Sequence, residues 1–296
     1  MNLNHLAVFH AVAQEKSITA AARRLLISQP AVSKQLGQLE RKLRVKLFDR
    51  QPRGVQPTEA GICLASYAAR LFTLADDSER AMEELRGLHR GRLRIGASTT
   101  IGVYLLPDVF VGFRKAHPNI QLHLEIAPSE LLQERLLNGS IDLAVTEGNV
   151  RDESLKSTVL MDDQLITIAP FNHPLTRKRS VTASTLCREP FVIRETGSGT
   201  QSLVELSLAQ RGLHINPAMS LGSTEAIKRA VASGVGVAIV SRLAVELELH
   251  AKKLALVRIS DLDIRRPVHC VTHRNATPSQ SASAFLAMLQ KVIRAA

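Results

Sequence analysis

Three cysteines in 296 residues, Cys63, Cys187 and Cys270, are too few, too widely spaced and odd in number to frame a disulfide scaffold. A reduced, cytoplasmic protein is the plain expectation, and a redox-sensing thiol pair is the rarer use of such residues. No apolar run reaches membrane-spanning length, so no membrane partner is expected, and no basic-then-apolar export signal opens the chain. The ten histidines do not fall at metal-ligand spacing. His5 and His10 suit a helix face better than a metal site. "GSGTQS" and "GVGVAIVS" lack the full glycine pattern of a dinucleotide loop, and no nucleophile, base and orienting group assemble from local pattern. Neither an enzyme nor a metal or cofactor is therefore expected. The chain also lacks an exact internal repeat and any low-complexity segment.

What the chain does have is positive charge, unevenly placed. Lys and Arg number 38 against 27 Asp and Glu, a net charge of +11, which favours an anionic partner such as nucleic acid or a membrane surface. Through Pro57 there are ten basic residues (Lys16, Arg23, Arg24, Lys34, Arg41, Lys42, Arg44, Lys46, Arg50, Arg53) and three acidic ones (Glu15, Glu40, Asp49). That places +7 in the first fifth of the chain, while the rest holds 28 basic and 24 acidic residues. The length suits two domains of about 150 residues each.

The basic head is helical by pattern. In "ITAAARRLL" Ile18, Ala21, Ala22 and Leu25 recur at helical spacing, with Arg23 and Arg24 on the outer side. Ser28 offers an N-cap oxygen, and Pro30 sits in a first turn where its missing N–H costs nothing. A second helix therefore starts at Ser28-Gln29-Pro30. Its stripe Val32, Leu36, Leu39 and Leu43 turns Gln29, Ser33, Lys34 and Gln38 to solvent. Gln bonds adenine bidentately, Ser either base edge and Lys guanine or phosphate, and a helix fits the DNA major groove. An ordinary helical hairpin with a solvated basic face gives the same pattern.

Residues 47–61 separate the two readings. In "LFDRQPRGVQPTEAG" Pro52, Gly54 and Pro57 break any helix, and Arg50 and Arg53 project charge, as in a two-strand wing pressing toward a minor groove or phosphate. Thr58-Glu59 then caps a helix running to about His89, with Ile62, Ala65, Ala69 and Phe72, then Ala75, Met82 and Leu85, as its apolar stripe. Asp76 and Glu79 interrupt that stripe. A projecting helix of this length leaves an apolar face wet unless it pairs with another chain.

Through "SITAAARRLLISQPAVSKQLGQLE", "LFDR" and "PTEAG", and then over its whole length, the chain resembles a LysR-type transcriptional regulator. The resemblance implies a winged helix-turn-helix over residues 1–58, a dimerising linker helix over 59–90, and a two-lobed α/β effector domain of the periplasmic-binding-protein type over 91–296. It implies no enzyme, but a homodimer or homotetramer on an interrupted palindrome in double-stranded DNA, acting as activator or repressor with RNA polymerase and answering to a small-molecule effector. The candidate DNA-binding set is Ser28, Gln29, Pro30, Ser33, Lys34, Gln38, Arg50 and Arg53. "PSELLQERLLNGSIDLAVTEG" resembles members that control carbon fixation or sulfur assimilation.

The second part of the chain alternates strand and helix: "GRLRIGAS", "YLLPDVFVGFRKAHP", "IQLHLEIA", "SELLQERLLNG" and "DLAVTE", then a second unit from "LITIAP" through "MSLGSTEAIKRAVASGVGVAIVS". This order predicts a mostly parallel sheet. Crossings near Asp163 and Arg266 divide it into lobe I (91–163 and 267–296) and lobe II (164–266), with the last helix starting near Pro278. Ligands of such sheets bind beyond the carboxyl ends of the strands. Ser98, Thr99 and Thr100 follow one strand, Thr196, Gly197, Ser198, Gly199 and Thr200 another, and Ser223 and Thr224 a third, with Ser129, Thr146 and Glu147 facing the same cleft. Hydroxyls and backbone N–H groups suit a carboxylate, phosphate or sulfur oxyanion. Each taken singly also fits a simple helix cap. Glu147 repels an anion unless it pairs with a base or meets a ligand amine or hydroxyl. An enzyme or transport-type binding protein with an accidental basic head is the other reading, and it has no use for +7 on a winged head.

Overall fold

The structure, a computed structural model, describes residues 2–51, 54–85, 91–276 and 278–295. The head is built from α1 (Leu3–Glu15), α2 (Ile18–Arg24), α3 (Gln29–Leu43), a wing of β1 (Phe48–Gln51) and β2 (Gly54–Pro57), and the first turns of α4 (Glu59–Leu85). Each early helix has a local start signal. Asn2 accepts from Asn4 N, Ser17 from Ala20 N and Ser28 from Ala31 N, so side-chain oxygens satisfy backbone donors that the helix leaves free. Leu6, Phe9, Val12, Ala21, Val32, Leu36, Leu39 and Leu47 close the core. Leu43 does not join it: at 37% exposure it overhangs the last turn before Arg44 enters the left-handed region and ends the helix. The wing is tied back to the head, for Val55 N donates to Lys16 O at 3.1 Å. A side chain on Gly54, whose φ is +122°, would strike that same carbonyl, so the close approach requires glycine.

On α4 the stripe divides. Ala68 and Ala69 are buried, and Leu64, Ala65, Leu71 and Phe72 pack beside them on the head, because alanines let the helix lie close to α1. Ile62, by contrast, is 63% exposed, and Tyr67, Leu74 and Met82 share its exposure. Ile62 therefore lies off the buried face that its spacing predicted.

The rest of the chain opens with β3 (Gly91–Ala97), α5 (Thr99–Tyr104), α6 (Leu106–Ala116), β4 (Ile120–Ile126), α7 (Ser129–Leu137), β5 (Leu143–Thr146) and the long β6 (Leu155–Pro170). Then come α8 (Ala183–Leu186), β7 (Pro190–Arg194), α9 (Gly199–Ala209), β8 (Asn216–Leu221), α10 (Thr224–Ala232), β9 (Ala238–Ser241), α11 (Glu246–His250), β10 (Leu254–Val257), β11 (Ile264–His273) and α12 (Gln280–Ala295). Strand order is β10-β6-β11-β5-β3-β4, with β9 also on β6 and β7 paired with β8.

The sheet is mixed rather than mostly parallel. β3 runs parallel to β4 and β5, and β7 to β8, whereas β6 is antiparallel to β9, β10 and β11, and β11 to β5. The cause is that β6 and β11 each run through both lobes while the direction of the other strands reverses from lobe to lobe. In each lobe the odd strand is the one arriving from the other: β11 in the first, β6 in the second. The carboxyl ends of the remaining strands consequently point toward the junction from both sides. There Asp163 on β6 and Arg266 on β11 stand opposite in register. Leu93, Ile95, Phe113, Val268, Phe285 and Leu289 fill the first lobe. Leu186, Phe191, Val204, Leu208 and Val237 fill part of the second.

Candidate functional site

Two sites emerge, one on the head and one at the lobe junction. On α3, Gln29, Pro30, Ser33 and Lys34 are exposed and Gln38 is half-buried. Ser28 is taken by its capping bond. The buried stripe on the opposite side fixes this face outward. A shallow groove along its flank is lined by Ser33, Lys34, Gly37, Arg41, Arg44 and Lys46, and Glu40, also on it, turns a carboxylate oxygen to Leu47 N at 2.8 Å. The face is therefore basic, with short polar side chains at the helix start. The backbone of Arg50 lies in β1. Arg53 and the side chain of Arg50 lie outside the described residues.

At the junction the organising residue is Arg266, which the hydroxyl pattern alone did not single out. Its Nε and Nη2 donate to Asp163 Oδ2 at 2.9 and 2.8 Å. Nη1 donates to Thr200 Oγ1 at 2.9 Å and Nη2 to Thr100 Oγ1 at 3.5 Å. Glu147 Oε1 lies 3.0 Å from Nη2. One guanidinium thus joins α5 of the first lobe, α9 of the second and both crossing strands. The available signal was parity. Ile264, Arg266, Val268 and Cys270 alternate on the buried side of β11, so Arg266 is a charge on an apolar face. Asp163, 1% exposed, holds the matching place on β6.

The other predicted residues divide by what their oxygens do. Ser198 accepts from Gln201 N and Ser223 from Ala226 N, so both hydroxyls cap helices. Ser129 and Thr146 bond each other, and Thr146 also accepts from Gly148 N. Thr224 accepts from Arg194 Nη1 at 3.3 Å. Thr99, Thr196, Gly197 and Gly199 are exposed. Ser98 is buried at the N-cap of α5 but caps nothing, and its Oγ has no partner.

A second cross-lobe contact lies nearby. Tyr104 Oη on α5 donates to Glu225 Oε1 on α10 at 2.7 Å. Burial, and then that hydrogen bond, push the Tyr104 hydroxyl far above its ordinary range, so it stays a donor. Buried Lys228 lies 4.9 Å over the Tyr104 ring and pairs with Glu225 and Glu248 at 2.6 and 2.9 Å. Arg194 pairs with Glu195 at 2.7 Å and holds that carboxyl below its usual range.

Burial raises the Cys187 thiol, with Asp261 adding to the shift, and pushes Cys270 up to about 11. Neither is poised as a thiolate. No group of His, Cys, Asp and Glu among the described residues is arranged to hold a metal ion, and no described helix is long and apolar enough to cross a membrane.

Comparison with known proteins completes the picture. Residues 3–62 match the bacterial regulatory helix-turn-helix protein, lysR family, and residues 86–294 match the LysR substrate binding domain. A RuBisCO operon transcriptional regulator of Allochromatium vinosum is 36% identical over 285 residues, covering 96% of this chain and 94% of its own. A probable RuBisCO transcriptional regulator of Synechocystis sp. is 35% identical over 290 residues, 96% of this chain and 84% of its own. Among solved structures, full-length OxyR from Pseudomonas aeruginosa aligns at TM-score 0.78 and 24% identity over 99% of this chain and 95% of its own, a likeness of fold. The regulatory domain of Synechocystis CcmR, in complex with 2-PG, aligns at TM-score 0.63 and 28% identity over 69% of this chain and 97% of its own.

Proposed function

Because the chain belongs to the LysR family of transcriptional regulators, which are DNA-binding proteins and not enzymes, we propose that a small anionic metabolite held between its lobes switches its action at carbon-fixation promoters. The observation that carries this reading is the Arg266 cluster, where hydroxyls from opposite lobes, Thr100 and Thr200, meet on one guanidinium. A ligand there touches both lobes at once, so its affinity depends on how they close, and by linkage it biases that closure. The anionic character is supported by the spare N–H on Arg266, by the α9 N-terminus and by CcmR, whose complex holds the anion 2-PG. The carbon-fixation role is supported by the RuBisCO regulators, 35–36% identical over nearly the whole chain.

On the DNA side, Gln29, Ser33 and Lys34 of α3 enter the major groove of double-stranded DNA, and the wing approaches the backbone. The exposed Tyr67, Leu74 and Met82 on α4 are covered by a second copy. The dimer, or a tetramer of two, spans an interrupted palindrome and presents itself to RNA polymerase in the cytoplasm. Lobe I comprises 91–163 and 267–296, and lobe II 164–266.

Footprinting of the full chain on the control region beside its own gene tests this. Addition of 2-PG is expected to shift the protected region, and Thr100→Val or Thr200→Val to raise the required concentration about tenfold, the equivalent of about 1.4 kcal/mol. An unchanged response in both variants places the ligand elsewhere.

A further inference from the structure

Positive charge returns in the second part of the chain, and one lobe holds all of the excess. Residues 164–266 carry 14 basic and 8 acidic residues, whereas the rest of the chain after Pro57 carries 14 basic and 16 acidic. Several of these cations are engaged. Arg194 pairs with Glu195, Lys228 with Glu225 and Glu248, Arg265 with Asp263, and Arg266 with Asp163 and Glu147, while Arg211 donates to the carbonyls of Ser207 and Asp261. Arg177, Lys178, Arg179, Lys252, Lys253 and Arg258 are different: all are exposed, and none has a side-chain hydrogen bond or ion pair among the described residues.

These six gather round one short strand. Leu254 of β10 stands opposite Pro170 of β6, and His173 N donates back to Pro170 O at 2.9 Å, so Lys252 and Lys253 lie at the end of β10 where the 3-10 turn Pro174–Arg177 begins. At the other end Val181 N donates to Arg258 O at 2.9 Å. Arg177, Lys178 and Arg179 therefore lie on the path between the two ends of a strand about 13 Å long. Nearby carboxylates do not neutralise them: Glu248 is held by Lys228, Glu189 lies 3.7 Å from His173, Asp261 turns an oxygen to Ala183 N, and Glu246 is at the far end of α11. Like charges this close repel one another across a screening length of about 8 Å, and a polyanion relieves them. Lys252 also takes φ +54° just after α11, where glycine is the unstrained choice, as Lys16 and Arg44 do in the head. The chain keeps a cation there at a cost in backbone strain.

We propose that this edge of the second lobe is a further DNA surface, which takes phosphates outside the operator half-sites without reading their sequence. The head holds the same duplex, so flanking DNA is present at high local concentration, and phosphate contacts repay the bend that brings it to the lobe.

Salt-titrated binding of the full chain to two duplexes tests it, one trimmed to the protected half-sites and one extended by several helical turns on both sides. Each cation on a phosphate adds about 0.9 to the slope of log affinity against log salt, so the extended duplex is expected to give the steeper slope. In the triple variant Arg177→Ser, Lys178→Ser, Arg179→Ser, that slope falls by about 2–3 and affinity for the extended duplex by about ten-fold or more, while the trimmed duplex is bound as before. Lys252→Asn with Lys253→Gln, which leaves the 177–179 stretch alone, is expected to act in the same direction. Equal slopes on the two duplexes for the unaltered chain, unchanged extended-duplex binding in both variants, or equal loss on both lengths overturns the proposal. A loss of RNA polymerase binding or of solubility in place of DNA affinity overturns it too, and assigns the cations to an acidic protein face or to guarding the edge of β10.

Discussion

Gln29 and Ser33 stand one turn apart on the exposed face of α3, outside the buried core of the head, and Gln29 Oε1 accepts a long bond from Thr19 Oγ1 of α2 at 3.5 Å. Replacing either with Ala should weaken operator binding by about 1–3 kcal/mol per lost base contact and leave binding to random DNA unchanged. Competition footprinting measures both, and a double variant that protects its operator normally refutes the assignment. Arg266 is the opposite kind of residue. Its removal strands Asp163 and Glu147, so Arg266→Met should lower stability by about 3–5 kcal/mol, whereas adding Asp163→Asn should restore part of the loss. Denaturant titration of both variants checks the order. Most of the hydroxyls could be found from sequence because each follows a strand and precedes a helix. Arg266 was harder, since its meaning comes from Asp163, 103 residues earlier in the chain. Only the parity of two apolar strands hinted that either charge points inward.

At the scale of elements, α3 was legible because its start is written locally: Ser28 caps and Pro30 fits the first turn. The packing of α4 was less so. Its alanines and its larger apolar residues recur at similar spacing, and which set meets the head depends on α1, which spacing within α4 does not encode. Where α1 meets α4, His10 stacks on Phe72 with ring centroids 5.4 Å apart, and its Nδ1 is buried without a partner. Burial, assisted by Arg24, holds this imidazole below its ordinary value. The depressed folded value means that His10's contribution is whole above about pH 6.5, where the unfolded chain is also neutral. It is lost as pH falls, because the unfolded chain takes up the proton first. Melting temperature should therefore drop between pH 7.5 and 5.5, and less so in His10→Leu. His273 shifts in the same direction, so the difference between the two proteins is the quantity that isolates His10. Equal slopes would show that the head does not titrate there.

At the scale of the molecule, Tyr104 and Glu225 form a contact that exists only while the lobes face each other as they do here. Tyr104→Phe removes a hydrogen bond to a charged acceptor, worth about 1.5–3 kcal/mol, without disturbing either core. It should raise hydrogen exchange along β6 and β11 at the crossing, and unchanged exchange would mean that other contacts hold the lobes. The two-lobe plan was legible from the repeated strand and helix order, but the through-running strands were not, because nothing in "LKSTVLMDDQLITIAP" marks where one lobe ends and the other begins. Those strands also set a timetable for synthesis. β11 lies between β5 and β6 in the sheet, yet it leaves the ribosome after the whole second lobe. Until residues 264–273 and α12 emerge, the first lobe carries two bare strand edges and lacks Phe285 and Leu289 from its core. The nascent chain therefore completes its second lobe first, and a late stop codon costs the protein the lobe that began earlier.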